Sequence, residues 1–278
     1  VARFWSIYFM SWAALAVALC LAAPSLGWWF PDTGEAMSSI GRRIDGLFYI
    51  ILWITSIVFV GTQIALGYVL WKGAVKPAHE KATYSHGNHT LEVIWTVIPG
   101  IVLLFIAIYQ MDVWAAFRMR NYAPGEIEAI AEVTARQFEW RIRYPAPGKP
   151  LMPMPQPDDV YTVNDLRIPV GRPVSISLRS GDVQHSFFVP VLRIKQDALP
   201  GTVIPVWFDA LQPGSYDLVC AELCGWGHYK MKARVLATSE ELFQKWKQEA
   251  VLLQADDGLQ SASPAESTAA DQAQTSTP

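Results

Sequence analysis

Between Leu47 and Trp71 the chain runs for about 25 residues without a formal charge. At 1.5 Å per residue a helix of that length exceeds the ~30 Å hydrocarbon core of a bilayer, so the segment is expected to span a membrane. Val93 to Tyr109 is a second apolar run, continued by Val113 to Phe117 beyond Asp112. Its Pro99-Gly100 pair would break a soluble helix, but membrane helices tolerate such pairs. The two spans, about 47–71 and 93–117, make a transmembrane helix hairpin within residues 31–118. Composition agrees: 51% of the 278 residues are hydrophobic and only 17% are charged, low for a soluble protein. The net charge of -3 defines no partner class, and the absence of a Lys/Arg cluster argues against nucleic acid.

The connection between the spans holds Lys72, Lys76 and Lys81 against Glu80. By the positive-inside rule it is cytoplasmic. Arg42 and Arg43, before the first span, argue weakly the other way, and the short three-lysine loop outweighs them. Everything after Phe117 is then expected on the outer side. Residues 1–30 leave two readings open. An apolar stretch from Trp5 to Ala23 follows Arg3 and ends in the small residues Ala22, Ala23 and Ser25. That pattern suits a signal peptide with a cleavage zone, and it equally suits an extra transmembrane segment. Leu19 stands where a lipoprotein signal has a small residue, so Cys20 reads as a buried apolar cysteine.

From about Glu126 the pattern changes to short segments that alternate polar and apolar residues, such as Glu128 to Val133 and Phe138 to Tyr144. Period-two alternation marks half-buried strands. Further short runs (Leu166 to Ile168, Val174 to Leu178, Val203 to Phe208, Tyr216 to Val219 and Lys230 to Leu236) are separated by turns at Gly171, Gly181, Pro200-Gly201 and Pro213-Gly214. Many short strands at this spacing predict an all-β sandwich or barrel over residues 119–238. In 239–278, Ser239 caps a helix through about Leu253, and the tail from Ala255 to Pro278 has the composition of a disordered segment.

Chemistry concentrates between Cys220 and Met231, where two thiols, the His228 imidazole and a thioether lie within twelve residues. His185 stands upstream at the end of another strand. Sulfur and imidazole donors together favour copper, and a mononuclear blue site uses a single cysteine. The second cysteine is the discriminating surplus: two thiolates on one loop can bridge two copper ions. A disulfide between Cys220 and Cys224 and a Cys2His2 zinc site are the competing readings. Met231 and the absence of a second short His spacing count against zinc.

The chain resembles subunit II of the haem-copper cytochrome c oxidases over roughly Leu47 to Ala237. The resemblance rests on the hairpin, the Glu92-to-Pro99 opening of the second span, Asp182-Val183-Gln184-His185-Ser186, Lys195 to Gly201, and the Cys220-to-Met231 loop. It implies a cupredoxin-like β-barrel holding the binuclear copper centre CuA. The ligands would be His185, Cys220, Cys224, His228, Met231 and the backbone carbonyl of Glu222, whose side chain would bind magnesium at the contact with subunit I. Subunit I and subunit III are the implied partners, with a soluble or tethered cytochrome c as electron donor. CuA would pass electrons to haem in subunit I for reduction of dioxygen to water, coupled to proton translocation. The implied location is a bacterial-type plasma membrane in preference to the mitochondrial inner membrane, with the copper domain on the periplasmic side.

The resemblance also places Glu92 at the mouth of a proton path, although a carboxylate at a helix start is equally a plain partner for the helix dipole. Gln137 to Trp140 matches an aromatic-rich strand in which an exposed Trp receives the electron. Here Phe138 occupies that position, so Phe138 and Trp140 are the candidate contacts, the donor can differ from a standard cytochrome c, and Trp226 is either a further contact or a core residue. Asp182, Asp197 and Asp217 read as an acidic face or as ordinary turn residues. No Cys-x-x-Cys-His haem attachment sequence occurs. A copper-free quinol-oxidising relative would lack the ligands, a copper nitric oxide reductase subunit would differ in its catalytic partner, and a copper carrier would need no hairpin.

Overall fold

The computed structural model describes residues 2–28, 36–75, 84, 86–118 and 127–256. Lys76, Glu80 and Lys81, which set the expected orientation, and the tail beyond residue 256 lie outside them. Contacts divide the chain into two units, residues 1–35 with 43–118 and residues 36–42 with 119–278.

The first unit is helical. Its elements are α1 (Ala2–Ala22), α2 (Ser39–Val75) and α3 (His89–Arg118), each long and apolar enough to cross a membrane. Large side chains along them, such as Trp53, Ile57 and Leu103, are exposed, as lipid-facing residues are and as a water-soluble surface avoids. Arg43 forms an ion pair with Asp112, which ties the start of α2 to the end of α3 as a hairpin requires. The segment expected to be either a leader or a span is the helix α1. It packs on α2 where Gly67 leaves room: a Cβ there would meet Met10 Cγ, and the Ser6 hydroxyl donates to the Gly67 carbonyl at 2.6 Å. Both hairpin helices outrun the apolar spans. α2 has 37 residues, about 55 Å of helix, and takes in Arg42, Arg43 and Asp45 ahead of Leu47. Pro99 sits inside α3 without ending it.

The second unit is an all-β sandwich of the cupredoxin-like kind the sequence led us to expect. Its strands are β1 (Ala129–Arg136), β2 (Glu139–Tyr144), β3 (Val160–Val163), β4 (Asp165–Pro169), β5 (Val174–Ser180), β6 (His185–Val189), β7 (Ile194–Ala198), β8 (Ile204–Phe208), β9 (Gly214–Cys220) and β10 (Lys232–Thr238). One sheet has the order β3-β2-β1-β5-β8 and the other β4-β10-β9-β6-β7. Strand alternation sends one face of each sheet inward: in β1, Ala131, Val133 and Ala135 are fully buried, and the residues between them are only half-buried. Trp140 of β2 packs edge-on to Phe187 of β6 at 5.8 Å, and Phe187 meets Phe208 of β8 at 6.1 Å, joining the sheets through one aromatic core.

Two additions close the sandwich. The helix α4 (Glu240–Asp256) starts as expected, with Ser239 Oγ accepting the Leu242 N–H at 3.3 Å. It lays Phe243 and Trp246 against Tyr144. Residues 36–42 belong to this unit and not to the hairpin domain assigned to 31–118. Met37 N–H donates to the Val191 carbonyl and Leu211 N–H to the Met37 carbonyl, both at 2.9 Å. The buried Asp209 carboxylate accepts Ser39 N–H at 2.9 Å. The orphan backbone groups of a helix start are thus satisfied by the β unit.

Candidate metal centre

β6 and β9 pair with Phe187 opposite Cys220, which brings His185, at the start of β6, beside the loop that leaves β9. The loop is pinned at its base: Cys220 N–H donates to the Met231 carbonyl and Ala221 N–H to the Ser186 carbonyl, each at 3.1 Å. A 3-10 turn, His228–Lys230, then returns the chain to β10. Gly225 adopts φ +136°, a conformation that side chains disfavour, at the tight bend after Cys224.

All six groups proposed as copper ligands converge. Cys220 Sγ lies 3.9 Å from Cys224 Sγ and 3.2 Å from the Glu222 carbonyl oxygen. His185 Nδ1 is 3.8 Å from Cys220 Sγ, and His228 Nδ1 is 3.7 Å from Cys224 Sγ. Met231 Sδ is 3.8 Å from Cys224 Sγ. The cysteines are free, at nearly twice a disulfide bond length, so the disulfide reading does not describe this pair. His185, Cys220, Cys224 and Met231 are buried.

This donor set is compatible with a copper site. His185, Cys220 and Cys224 place their ligand atoms within 4.8 Å of one another, and His228 falls outside that group, on the Cys224 side. One tetrahedral zinc would need all four donors at ~2.0–2.3 Å from itself, hence mutually close. Two thiols, two imidazoles and a thioether are the soft and borderline donors that suit copper.

The electrostatics favour ionised ligands on one side of the site. His185 Nε2 is 2.8 Å from Asp182 Oδ1, and Asp182 Oδ2 accepts Gln137 N–H at 2.8 Å. Burial would raise the Asp182 pKa, but His185 and the Gln137 and Val183 N–H groups outweigh it and hold the carboxyl below its usual range. Burial likewise opposes charge on His185, and Cys220 and Asp182 overcome it, raising the imidazole. Against its own burial, Cys220 is pulled down to about 6 by His185, by the backbone of Glu222 and Ser186, and by His228. Cys224 is pushed up to about 11 by burial and by the charge on Cys220. One thiolate is therefore ready at neutral pH, and the second ionises only as a metal displaces its proton.

The remaining candidates separate. Trp140 is fully buried behind His185, with ring centroids 6.4 Å apart. The alternation of β2 turns it inward, so no donor protein can touch it, and its candidacy as a contact is corrected accordingly. Phe138 is half-buried beneath the loop, its ring 5.3 Å from that of Trp226 in an edge-on contact. Trp226 is 76% exposed, which excludes the core-packing reading. Asp182 serves His185 and is not a free docking charge. Glu222 is half-buried, and among the described residues no group of three or more ligating side chains gathers around it. Glu92 lies in the first turn of α3, 3.7 Å from His89 Nδ1, behind Asn88, whose Oδ1 accepts the Leu91 N–H at 3.1 Å. Sequence reasoning did not foresee the double role of Asp182. Its spacing three residues before His185 on a turn into a strand was the available signal.

Comparison with known proteins finds matches in both units of the chain. Residues 24–113 match the family described as the transmembrane domain of cytochrome c oxidase subunit II, and residues 154–239 match the family described as its periplasmic domain. The chain is 30% identical to the alternative cytochrome c oxidase subunit 2 of Bradyrhizobium diazoefficiens, over 84% of this chain and 91% of that one. It is 30% identical to cytochrome c oxidase subunit 2 of Thermostichus vulcanus, over 77% of each chain. The crystal structure of the periplasmic domain of subunit II (CoxB) of Bradyrhizobium japonicum matches 46% of this chain and 96% of that one, at 24% identity and a TM-score of 0.40.

Proposed function

The chain belongs to the cytochrome c oxidase subunit II family, and from that premise we propose that it receives single electrons from a cytochrome c at a binuclear copper centre and passes them to haem in subunit I. One observation carries this reading: two free cysteines 3.9 Å apart, each with its own imidazole Nδ1 within 3.8 Å. When bound, a copper pair would supply one-electron redox chemistry with the charge shared over both ions. The chain's own residues do the rest. Cys220, Cys224, His185, His228, Met231 and the Glu222 carbonyl would hold the ions. Asp182 fixes the His185 ring so that Nδ1 faces the thiols. Burial of His185, Cys224 and Met231 keeps water from the ligands, so little reorganises when charge arrives.

The same reading assigns two further roles and a location. Glu222 offers a carboxylate oxygen to a magnesium ion, whose other ligands come from subunit I. Glu92 takes up protons at the mouth of a path into that subunit, and the β unit lies on the periplasmic side of a bacterial plasma membrane. Copper analysis and electron paramagnetic resonance of the purified complex test the central claim. Two coppers per chain with a seven-line signal, lost in Cys220→Ser and in Cys224→Ser, is the expected result. A four-line signal from one copper would reject it.

A further inference from the structure

His185, Cys220, Cys224 and Met231 are buried, yet the loop that leaves β9 presents Leu223, Trp226 and Tyr229 to solvent at 77%, 76% and 76% exposure. Large aromatic groups this exposed, clustered on one short loop, mark a contact surface more often than a random surface position. Trp226 is the centre of the cluster. It stands two residues after Cys224 and two before His228, so the covalent path from its ring to either ligand crosses a single intervening residue. The structure also fixes its ring: Phe138 supports one edge at 5.3 Å, and Lys230 Nζ stands over the ring at 4.5 Å. Gly227 makes the support possible, because a Cβ there would lie 2.5 Å from the Phe138 ring.

Charge around the cluster specifies the partner. Glu139 is neutralised by Arg141 at 2.6 Å, and Asp182 is committed to His185 and to Gln137. Lys230 has no ion-pair partner among the described residues, and Arg136 lies on the neighbouring turn against Gly181. The aromatic face thus carries a cation over its central ring, and the one carboxylate of the loop, Glu222, is the group that the copper reading assigns to magnesium, which leaves the face suited to an acidic protein.

Resting on the copper reading above, we propose that Trp226, braced by Phe138, is the point at which electrons enter, and that its partner is a c-type cytochrome with an apolar haem edge rimmed by acidic residues. One electron leaves the ferrous haem, which becomes ferric, and reduces the copper pair held by Cys220 and Cys224. No bond forms or breaks and no proton moves.

The test uses the intact oxidase complex, with an acidic and a basic c-type cytochrome as reduced probes. Trp226→Ala is expected to keep the seven-line copper signal and to slow oxidation of the acidic cytochrome at least tenfold. Trp226→Phe should recover most of the rate. Lys230→Glu should slow the acidic probe and speed the basic one. Oxidation of the acidic probe within twofold of the parent rate in a Trp226→Ala complex with full copper signal would overturn the inference alone. So would loss of subunit I from that variant, which would make the patch a subunit contact. An unsubstituted complex without the seven-line signal would overturn the copper reading and this inference with it.

Discussion

Asp182 holds the far edge of His185: Oδ1 lies 2.8 Å from Nε2, and this leaves Nδ1 turned toward Cys220 Sγ at 3.8 Å. The other carboxylate oxygen accepts the Gln137 N–H at 2.8 Å, so one side chain sets both the imidazole proposed to bind copper and the turn that carries Phe138. Asp182→Ala removes the hydrogen bond and the charge, and copper affinity should fall about 10–100-fold. Asp182→Asn keeps an acceptor oxygen and should lose less. Competition against a chromophoric copper chelator gives both values. Parent affinity in the alanine variant would show that backbone packing alone orients His185.

Gly227 is required for space and not for conformation. Its φ of -91° is open to any residue, but a Cβ would strike Phe138 at 2.5 Å. Gly227→Ala should therefore destabilise the β unit by about 1–3 kcal/mol, the cost of overpacking. Removing the obstacle should restore part of this: Gly227→Ala with Phe138→Ala should be more stable than the sum of the single changes predicts. Thermal unfolding of the metal-free full chain, followed by the β-sheet circular dichroism signal, measures the cycle. Strict additivity would mean that the loop moves aside and Phe138 is not its support.

A different energetic device sits far from the metal loop. Arg143 on β2 is 4% exposed and pairs with Asp159, itself 3% exposed, at 2.7 Å, and with Glu132 at 3.2 Å. It also donates to the Met152 carbonyl at 3.0 Å. Removing one partner leaves a buried charge unpaired, which costs about 3–5 kcal/mol. Asp159→Ala should fall at the low end of that range, because Glu132 still faces the guanidinium. Replacing all three charged groups with apolar residues, Arg143→Met, Asp159→Leu and Glu132→Leu, should recover much of the loss. A triple variant as unstable as Asp159→Ala would assign the cost to the loop from 145 to 159 and not to the uncompensated charge.

The helical spans and the metal loop were readable because their signals are local. An uncharged run of about 25 residues has few alternatives, and Cys220 to Met231 carries four of the ligand side chains in one segment. Strands such as β1, with its clean alternation, were readable for the same reason. β3 and β7 were not, since Val160 to Val163 is only four residues long and Ile194 to Ala198 carries three polar residues in a row, and only pairing with β2 and β6 makes them strands. Long-range effects were the least legible. Nothing near Ser39 announces that Asp209 will accept its N–H, or that residues 36–42 will be stitched to the β unit. The burial of Trp140 follows from β2 register, and the exposure of Trp226 from a loop shape that Gly225 and Gly227 allow.

Metal loading should depend on pH in a way set by the two cysteines. Cys220 is held at about 6 and Cys224 at about 11 in the metal-free protein, so at pH 7 the site holds one thiolate and one thiol. A bridged copper pair needs both ionised, and loading must release the Cys224 proton. Each proton released makes affinity rise about tenfold per pH unit. Between pH 6 and 8 the slope should thus be at least one decade per unit. The raised pKa of His185 adds to it wherever that imidazole is still charged. Below about pH 6 Cys220 takes up a proton too, so loading there must release one more and the slope should steepen. Chelator-buffered titrations at a series of pH values, with proton release followed by an indicator dye, measure both quantities. Copper uptake that releases no proton at pH 7 would mean that both thiols are already ionised before the metal arrives, against the mutual repulsion that a 3.9 Å separation imposes.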